Sequence, residues 1–172
     1  MLVIVLAFGM TAVGCEDDLI PDPKLNGTWV RENSGGSQTY KFNNGSYESE
    51  QSISNTYFSG PYYRSKGTYT TGDNKINWGG GTYEYNGAYF VAIRNSLGAN
   101  APAMYSNFVD RWYSQKDYED IMRPYQQPTT STETYTSVTT YEVEDNTLTL
   151  TYTSTRDSDG YVTTSSITYT RK

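Results

Sequence analysis

The amino-acid sequence predicts an all-β fold, an antiparallel up-and-down barrel of about 8–10 strands. The chain of 172 residues contains 18 Tyr, 3 Trp and 5 Phe together with many Thr, a composition typical of pleated, half-buried surfaces. Turn residues recur at intervals of roughly ten residues, which is the spacing expected of a sandwich or barrel. Apolar and polar side chains alternate between these turns, which favours strands with one packed and one solvated face.

In the first half of the chain, alternation and turn residues predict five strands. The predicted strands are 27–32, 38–42, 46–52, 66–71 and 75–78. Asn44-Gly45 supplies the positive φ angles of a tight hairpin turn, and Gly72-Asp73-Asn74 forms a second turn. Residues 55–63 are predicted as a loop rich in aromatic side chains.

The following segment has alternating apolar residues and is predicted as a strand. One face of this strand would carry Tyr83, Tyr85, Tyr89, Val91 and Ile93. Asn86-Gly87 lies in the middle of it and either bulges the strand or splits it into a hairpin.

The last third of the chain predicts three strands separated by the turns at 145–146 and 157–160. Their apolar faces carry, in order, Tyr135, Thr139, Tyr141 and Val143; Leu148, Leu150 and Tyr152; and Tyr161, Ile167 and Tyr169. The opposite faces are mostly Thr and Ser. In an antiparallel meander one face is then packed and the other polar, and closing the strands into a barrel removes the exposed sheet edges.

A short helical insertion near 102–123 interrupts the β pattern. Pro102 suits a first helical position, and Ser114 to Asp117 resembles a capping box that opens a second short helix before Pro124. Apolar residues at helical spacing are Tyr105, Phe108, Val109, Trp112 and Tyr113. The insertion either covers one end of the barrel for packing alone or forms a lid over a ligand-accessible mouth.

The N-terminal segment predicts where the protein is held. Leu2 to Phe8 form an apolar run of signal-peptide length, too short to span a membrane. Ala12-Val13-Gly14-Cys15 follows, resembles the lipobox of bacterial lipoproteins, and contains the only Cys. The resemblance implies cleavage before Cys15 and acylation of its thiol. The alternative is an ordinary secretory signal with an unrelated Cys.

We therefore expect a signal peptide at 1–14, a lipidated acidic tether at 15–24 and a barrel domain at 25–172. Lipid anchoring would place the protein in the bacterial cell envelope, at the outer membrane or cell surface. No Lys or Arg precedes the apolar run, where a positive region normally stands, so we expect the natural start to lie upstream.

The barrel domain resembles the lipocalin-like domains of bacterial lipoproteins. The segments that carry this resemblance are 25–29 (LNGTW), 40–48 (YKFNNGSYE), 66–69 (KGTY) and 167–172 (ITYTRK). The resemblance implies that Gly27 and Trp29 close the base of the barrel and that Arg171 stacks on the Trp29 ring. A cation over an indole contributes about 0.5–2 kcal/mol.

Composition excludes several function classes. The chain has no His, so a Ser-His-Asp triad is impossible and a zinc site would lack its usual nitrogen ligands. A net charge of −6 disfavours a nucleic-acid partner. The carboxylate pairs Glu48/Glu50 and Glu142/Glu144 share strand faces as glycosidase carboxylates could, but solvent-facing charges explain them more simply. We expect no catalytic residue, no metal and no cofactor.

Two functions remain open from the sequence. The first is a barrel that binds a small apolar or aromatic ligand among inward-facing tyrosines, namely Tyr83, Tyr85, Tyr141 and Tyr152. The same tyrosines could instead simply fill the barrel. The second is a non-enzymatic envelope protein that binds a protein partner, or inhibits one, through exposed aromatic residues, namely Tyr57, Phe58, Tyr62 and Tyr63.

Overall fold

Eight antiparallel strands close into a barrel in this computed structural model, which describes residues 20–126 and 133–172. The barrel strands are β1 (Gly27–Asn33), β2 (Gly36–Asn43), β3 (Ser46–Ser54), β4 (Ser59–Gly72), β5 (Lys75–Asn86), β7 (Tyr135–Glu144), β8 (Thr147–Arg156) and β9 (Val162–Arg171). A short strand β6 (Trp112–Ser114) and two helices, α1 (Gly87–Leu97) and α2 (Gln115–Met122), lie between β5 and β7. The predicted all-β, lipocalin-like barrel with a short helical insertion is confirmed.

The sheet is an up-and-down meander with the spatial order β4-β3-β2-β1-β9-β8-β7-β5, closed by pairing of β5 with β4. Two of its seams are short. β1 meets β9 at Trp29 opposite Arg171 and at Val30 opposite Thr170, and β5 meets β7 only around Ile76. Both seams lie at the same end of the barrel.

That end is called the base here, and the opposite end the mouth. The base contains the turns after β2, β4 and β7, together with Pro23–Leu25, a short 3-10 helix that precedes β1. Asn44 adopts the positive φ angle predicted for its turn, and Asp73 and Asn74 in the second predicted turn also have positive φ angles. The mouth contains the β1–β2 turn, the 55–58 loop, the helical insertion and the β8–β9 turn.

Aromatic and aliphatic side chains fill the lower half of the barrel. Trp78 packs against the buried core, with its ring centroid 4.9 Å from that of Tyr47 and 6.1 Å from those of Tyr40 and Phe42. The buried core consists of Leu25, Trp29, Phe42, Tyr47, Tyr69, Ile76, Leu148, Leu150 and Tyr169. The alternation predicted for β8 is therefore correct, since its Thr residues face outward and Thr151 contacts Ser166 of β9 at 2.8 Å.

The three residues expected to close the base lie together there. The Trp29 indole Nε1 donates to the Leu25 carbonyl at 2.6 Å. The Arg171 guanidinium lies 4.4 Å from the centre of the Trp29 ring and donates to the Lys24 carbonyl at 2.7 Å. Gly27 has a φ of +132° beside Arg171, a conformation that favours glycine.

The strand predicted through Tyr89, Val91 and Ile93 is wrong, because this segment forms α1. The Asn86 side chain accepts a hydrogen bond from the Ala88 backbone N–H at 3.0 Å and caps the helix. Asn86-Gly87 therefore neither bulges a strand nor turns a hairpin. A short apolar run fits both the strand period of two residues and the helical period of about 3.6 residues. The capping interaction of Asn86 favours the helix.

The helix predicted from Pro102 to Tyr113 is also wrong. Ala103–Asn107 forms a short 3-10 helix, and Trp112–Ser114 is the strand β6, paired with the end of β5. The chain at 109–111 passes directly over Gly87, whose N–H donates to the Arg111 carbonyl at 2.8 Å. A Cβ at Gly87 would lie 2.0 Å from the Val109 carbonyl oxygen, so only glycine permits this crossing.

One other predicted boundary is confirmed and one differs. α2 begins after Ser114, whose hydroxyl accepts from the Asp117 N–H at 3.2 Å, so the predicted capping by Ser114 is confirmed. The predicted loop 55–63 is shorter than expected, since β4 begins at Ser59.

Candidate functional site

A continuous row of aromatic rings lies along the mouth, and we call it the mouth ribbon. Its members are Phe58, Tyr62, Tyr63, Tyr83, Tyr85, Tyr89 and Tyr118. Neighbouring ring centroids are between 4.1 and 6.5 Å apart. Most of these separations fall in the range in which aromatic pairs attract one another. The ribbon joins the 55–58 loop to the helical insertion across β4 and β5.

Asparagine side chains hold the ribbon's supporting backbone. The Asn55 side chain accepts from the backbone N–H groups of Tyr57 and Phe58, both at 2.9 Å. The Asn86 amide caps α1 and also donates to the Pro61 carbonyl at 2.8 Å. Because Asn86 contacts both β4 and α1, it fixes the position of Tyr89 on α1 relative to Tyr62 on β4.

The ribbon is partly accessible to solvent. Tyr83 is 36% exposed, and its neighbours Phe58, Tyr62, Tyr63 and Tyr89 are half-buried. Burial raises the pKa of Tyr63 to about 12, against a smaller opposing effect of its contact with Ser65. The Tyr63 phenol is therefore neutral at physiological pH, and the tyrosines of the ribbon present both ring faces and hydroxyl groups.

The four tyrosines predicted to bind a ligand do not form one site. Tyr83 and Tyr85 belong to the mouth ribbon, and the Tyr85 ring stacks on Tyr118 of α2 at 4.1 Å. Tyr152 lies deeper, beside Tyr40, and burial raises its pKa to about 12.

Tyr141 lies at the base. Its hydroxyl donates to the Asp22 carboxylate at 2.9 Å. Burial, and then this contact, raises the pKa of Tyr141 to about 12. The four tyrosines thus lie on three strands, β5, β7 and β8, and are distributed from the base to the mouth of the barrel.

Of the four residues predicted to form an exposed aromatic contact surface, three are members of the mouth ribbon. Tyr57 lies beside it in the 55–58 loop and is 52% exposed. Tyr89 belongs to the ribbon as well, although its alternation with Val91 and Ile93 predicts a strand at this position. The capping residue Asn86, read as the start of a helix, is the signal that could have identified it.

A charged cleft of about 530 Å³ lies on the outer face of β2 to β5. Glu48 pairs in register with Lys66, and Glu50 with Arg64, so opposite charges face each other across the strands. Arg64 also donates to Glu84 at 2.7 Å and lies 4.1 Å from the Trp112 ring centre. The carboxylates Glu48 and Glu50 are thus solvent-exposed and lie opposite cationic residues on the neighbouring strand.

The N-terminal segment is described from Ile20 onward. Cys15 and the predicted signal peptide 1–14 lie outside the described residues, as does the first part of the predicted tether 15–24. The backbone N–H of Asp22 donates to the Thr71 hydroxyl at 2.8 Å, and that hydroxyl donates to the Ile20 carbonyl at 2.9 Å. Residues 20–24 are therefore held against the base of the barrel.

Within residues 20–126 and 133–172, no helix is long and apolar enough to cross a membrane. The chain matches no protein-family model, no curated protein sequence and no solved structure.

Proposed function

We propose that this protein is a lipid-anchored, non-enzymatic interaction protein of the bacterial cell envelope, whose barrel presents the mouth ribbon to a protein partner. The observation that carries this proposal is the ribbon itself, a continuous row of half-exposed rings at one end of a barrel whose lower half is packed with side chains. Tyrosine is enriched in protein interfaces, where it contributes a large contact area and a hydroxyl group at small entropic cost.

The position of the N-terminal segment supports an orientation in which the base of the barrel faces the membrane. Cys15 is five residues before Ile20, and an extended chain spans at most about 3.6 Å per residue, so the base would lie within about 18 Å of a lipid attached at Cys15. Leu25 is fully buried in the base, so the connection is not a free linker beyond that point. The mouth ribbon, at the opposite end, would then face away from the membrane.

A carrier of a small apolar ligand fits the structure less well. Such a carrier needs a cavity of roughly 300 Å³ or more inside the barrel. The space between Tyr40, Phe42 and Trp78 is instead occupied by their own rings, in mutual contact at 5.5 to 6.1 Å. The clefts of about 430 to 590 Å³ lie on the outer surface.

The lipid anchor is tested by Cys15→Ser. Serine cannot form the thioether, so we expect the variant to leave the membrane fraction and to lose labelling by radiolabelled palmitate. Thr11→Ser in the same segment is the matched control and should remain membrane-bound and labelled. Retention of Cys15→Ser in the membrane fraction would contradict the anchor while leaving the role of the mouth ribbon open.

The partner surface is tested by photo-crosslinking in intact cells. A photoreactive amino acid at position 57 should yield one protein adduct of defined mass. Phe58→Ala combined with Tyr83→Ala should reduce that adduct roughly 30-fold or more, since interface anchors contribute about 2 kcal/mol or more. The matched control is Tyr161→Ala, another exposed mouth tyrosine outside the ribbon. Equal adduct yields in the two variants would refute the proposal.

A further inference from the structure

A smaller, polar cleft of about 240 Å³ lies at the mouth, between the ends of β1, β2 and β3. Arg31, Asn33, Gln38, Gln51 and Tyr62 are among the residues that line it. Arg31 pairs in register with Gln38, and Gln38 with Gln51, so these three side chains form one row across the strands. Adjacent strands are about 4.8 Å apart, which brings the three polar groups close together.

The carbonyl oxygen of each amide in the cleft is already engaged. The Gln38 Oε1 accepts from the Tyr169 hydroxyl at 2.8 Å, and the Gln51 Oε1 accepts from the Tyr62 hydroxyl at 2.6 Å. The Asn33 Oδ1 accepts from the Gly35 backbone N–H at 2.8 Å. The Gly35 N–H can only donate, so it must face the Asn33 oxygen, whereas the two tyrosine hydroxyls, which can donate or accept, act as donors toward Gln38 and Gln51.

The amide nitrogens of Asn33, Gln38 and Gln51 and the Arg31 guanidinium are the hydrogen-bond donors of the cleft that have no acceptor among the described residues. Within the part of the chain that the structure describes, none of them donates a hydrogen bond and Arg31 makes no ion pair. Glu32, the acidic neighbour of Arg31 in the sequence, instead lies 3.5 Å from Lys172. Arg31 also opposes the increase in pKa that burial causes at Tyr169, so its charge acts on the interior.

We infer that this cleft binds an oxyanion group of a small molecule, a carboxylate, sulfate or phosphate. Arginine and amide NH₂ groups only donate, and anionic oxygens only accept, so the two sets of groups are complementary. The guanidinium can bind two oxygens of the same group at once. The cleft is smaller than a typical ligand pocket, which suits a single sugar or amino-acid unit. This inference does not depend on the proposed partner of the mouth ribbon.

The test is a titration of ¹⁵N-labelled protein with D-glucuronate, sulfate and phosphate, each followed by the side-chain NH₂ signals. We expect the Gln38 and Gln51 signals to shift saturably with at least one of the three anions, and the anion that binds most tightly identifies the source of the oxyanion. D-glucose, which lacks the carboxylate, should cause no such shift. The Gln115 signal, from α2, serves as the internal control.

Variants separate anion binding from general damage to the fold. Arg31→Gln and Gln51→Glu should each weaken binding roughly tenfold or more, since each loses a charge-assisted contact or adds a repulsive charge. Tyr62→Phe should weaken it less, because it only releases the Gln51 amide. The matched control, Arg123→Gln, removes the same charge just after the end of α2 and should bind as the wild type does. The absence of a saturable shift with all three anions, or equal affinity in Arg31→Gln and the wild type, would overturn the inference.

Discussion

Replacement of Trp29 by alanine is expected to lower the free energy of unfolding by about 3–5 kcal/mol, the usual cost of removing a large buried aromatic side chain. The Trp29 side chain has no solvent exposure. Its loss would also leave the Leu25 carbonyl without the indole donor at 2.6 Å and Arg171 without the ring beneath it. Since β1 and β9 meet only beside this residue, the same change weakens a short seam of the barrel.

Urea unfolding followed by far-ultraviolet circular dichroism would measure this loss. Trp112→Ala is the matched control, because Trp112 is only half-buried and its ring contacts Arg64 at the surface. We expect it to cost about 1 kcal/mol, mainly the cation–π contact. Trp29→Phe should fall between the two, since it keeps a ring but leaves the carbonyl unpaired. Equal losses for Trp29→Ala and Trp112→Ala would show that the base does not depend on Trp29.

Stability is expected to decrease steeply above pH 10. Burial raises the pKa of Tyr63, Tyr141 and Tyr152 to about 12 and raises those of Tyr40 and Tyr169 as well. In the unfolded chain the same phenols ionise near pH 10, so above that pH the unfolded state binds fewer protons than the folded state. Stability is then fully present below pH 10 and is lost as the pH rises toward 12.

This pH dependence can be measured from urea midpoints between pH 8 and roughly pH 11.5, with tyrosinate absorbance recorded in parallel. Each tyrosine that remains protonated only in the folded state contributes a slope of about 1.4 kcal/mol per pH unit. Tyr152→Phe should reduce the total slope by the contribution of one tyrosine. The control is Tyr125→Phe, a change at an exposed residue, which should leave the slope unchanged. Ionisation of the tyrosines near pH 10 without unfolding would contradict the expected burial effect.

Strands that alternate strictly between turns could be predicted from the sequence alone. β8 is the clearest case, since Leu148 and Leu150 are buried and the intervening Thr residues are not. The prediction failed between β5 and α2, where the chain has no strict alternation and tertiary contacts decide the structure. Capping by Asn86 produces a helix there, and the close crossing over Gly87 produces an extended segment. Neither interaction is visible from periodicity.

The candidate site residues could be predicted only in part: the sequence indicates the strand face that each occupies but not which residues meet. Alternation indicates which face of a strand a residue occupies, but it does not indicate the height of that residue in the barrel. Tyr83 at the mouth and Tyr141 at the base share an inward orientation and nothing else. The mouth ribbon and the polar cleft at the mouth depend on contacts across several strands, such as that of Tyr169 with Gln38. Such contacts follow only from the register of the sheet.

The seam between β1 and β9 has a consequence for when the protein can fold. Trp29 pairs with Arg171, and the Lys172 N–H donates to the Thr28 carbonyl at 2.9 Å, so the barrel closes between strands far apart in the chain. A nascent chain cannot form this seam until residue 171 has emerged, and such distant pairing slows folding. Closure therefore requires the whole of β9, and a chain that ends before this strand stays open between β1 and β8.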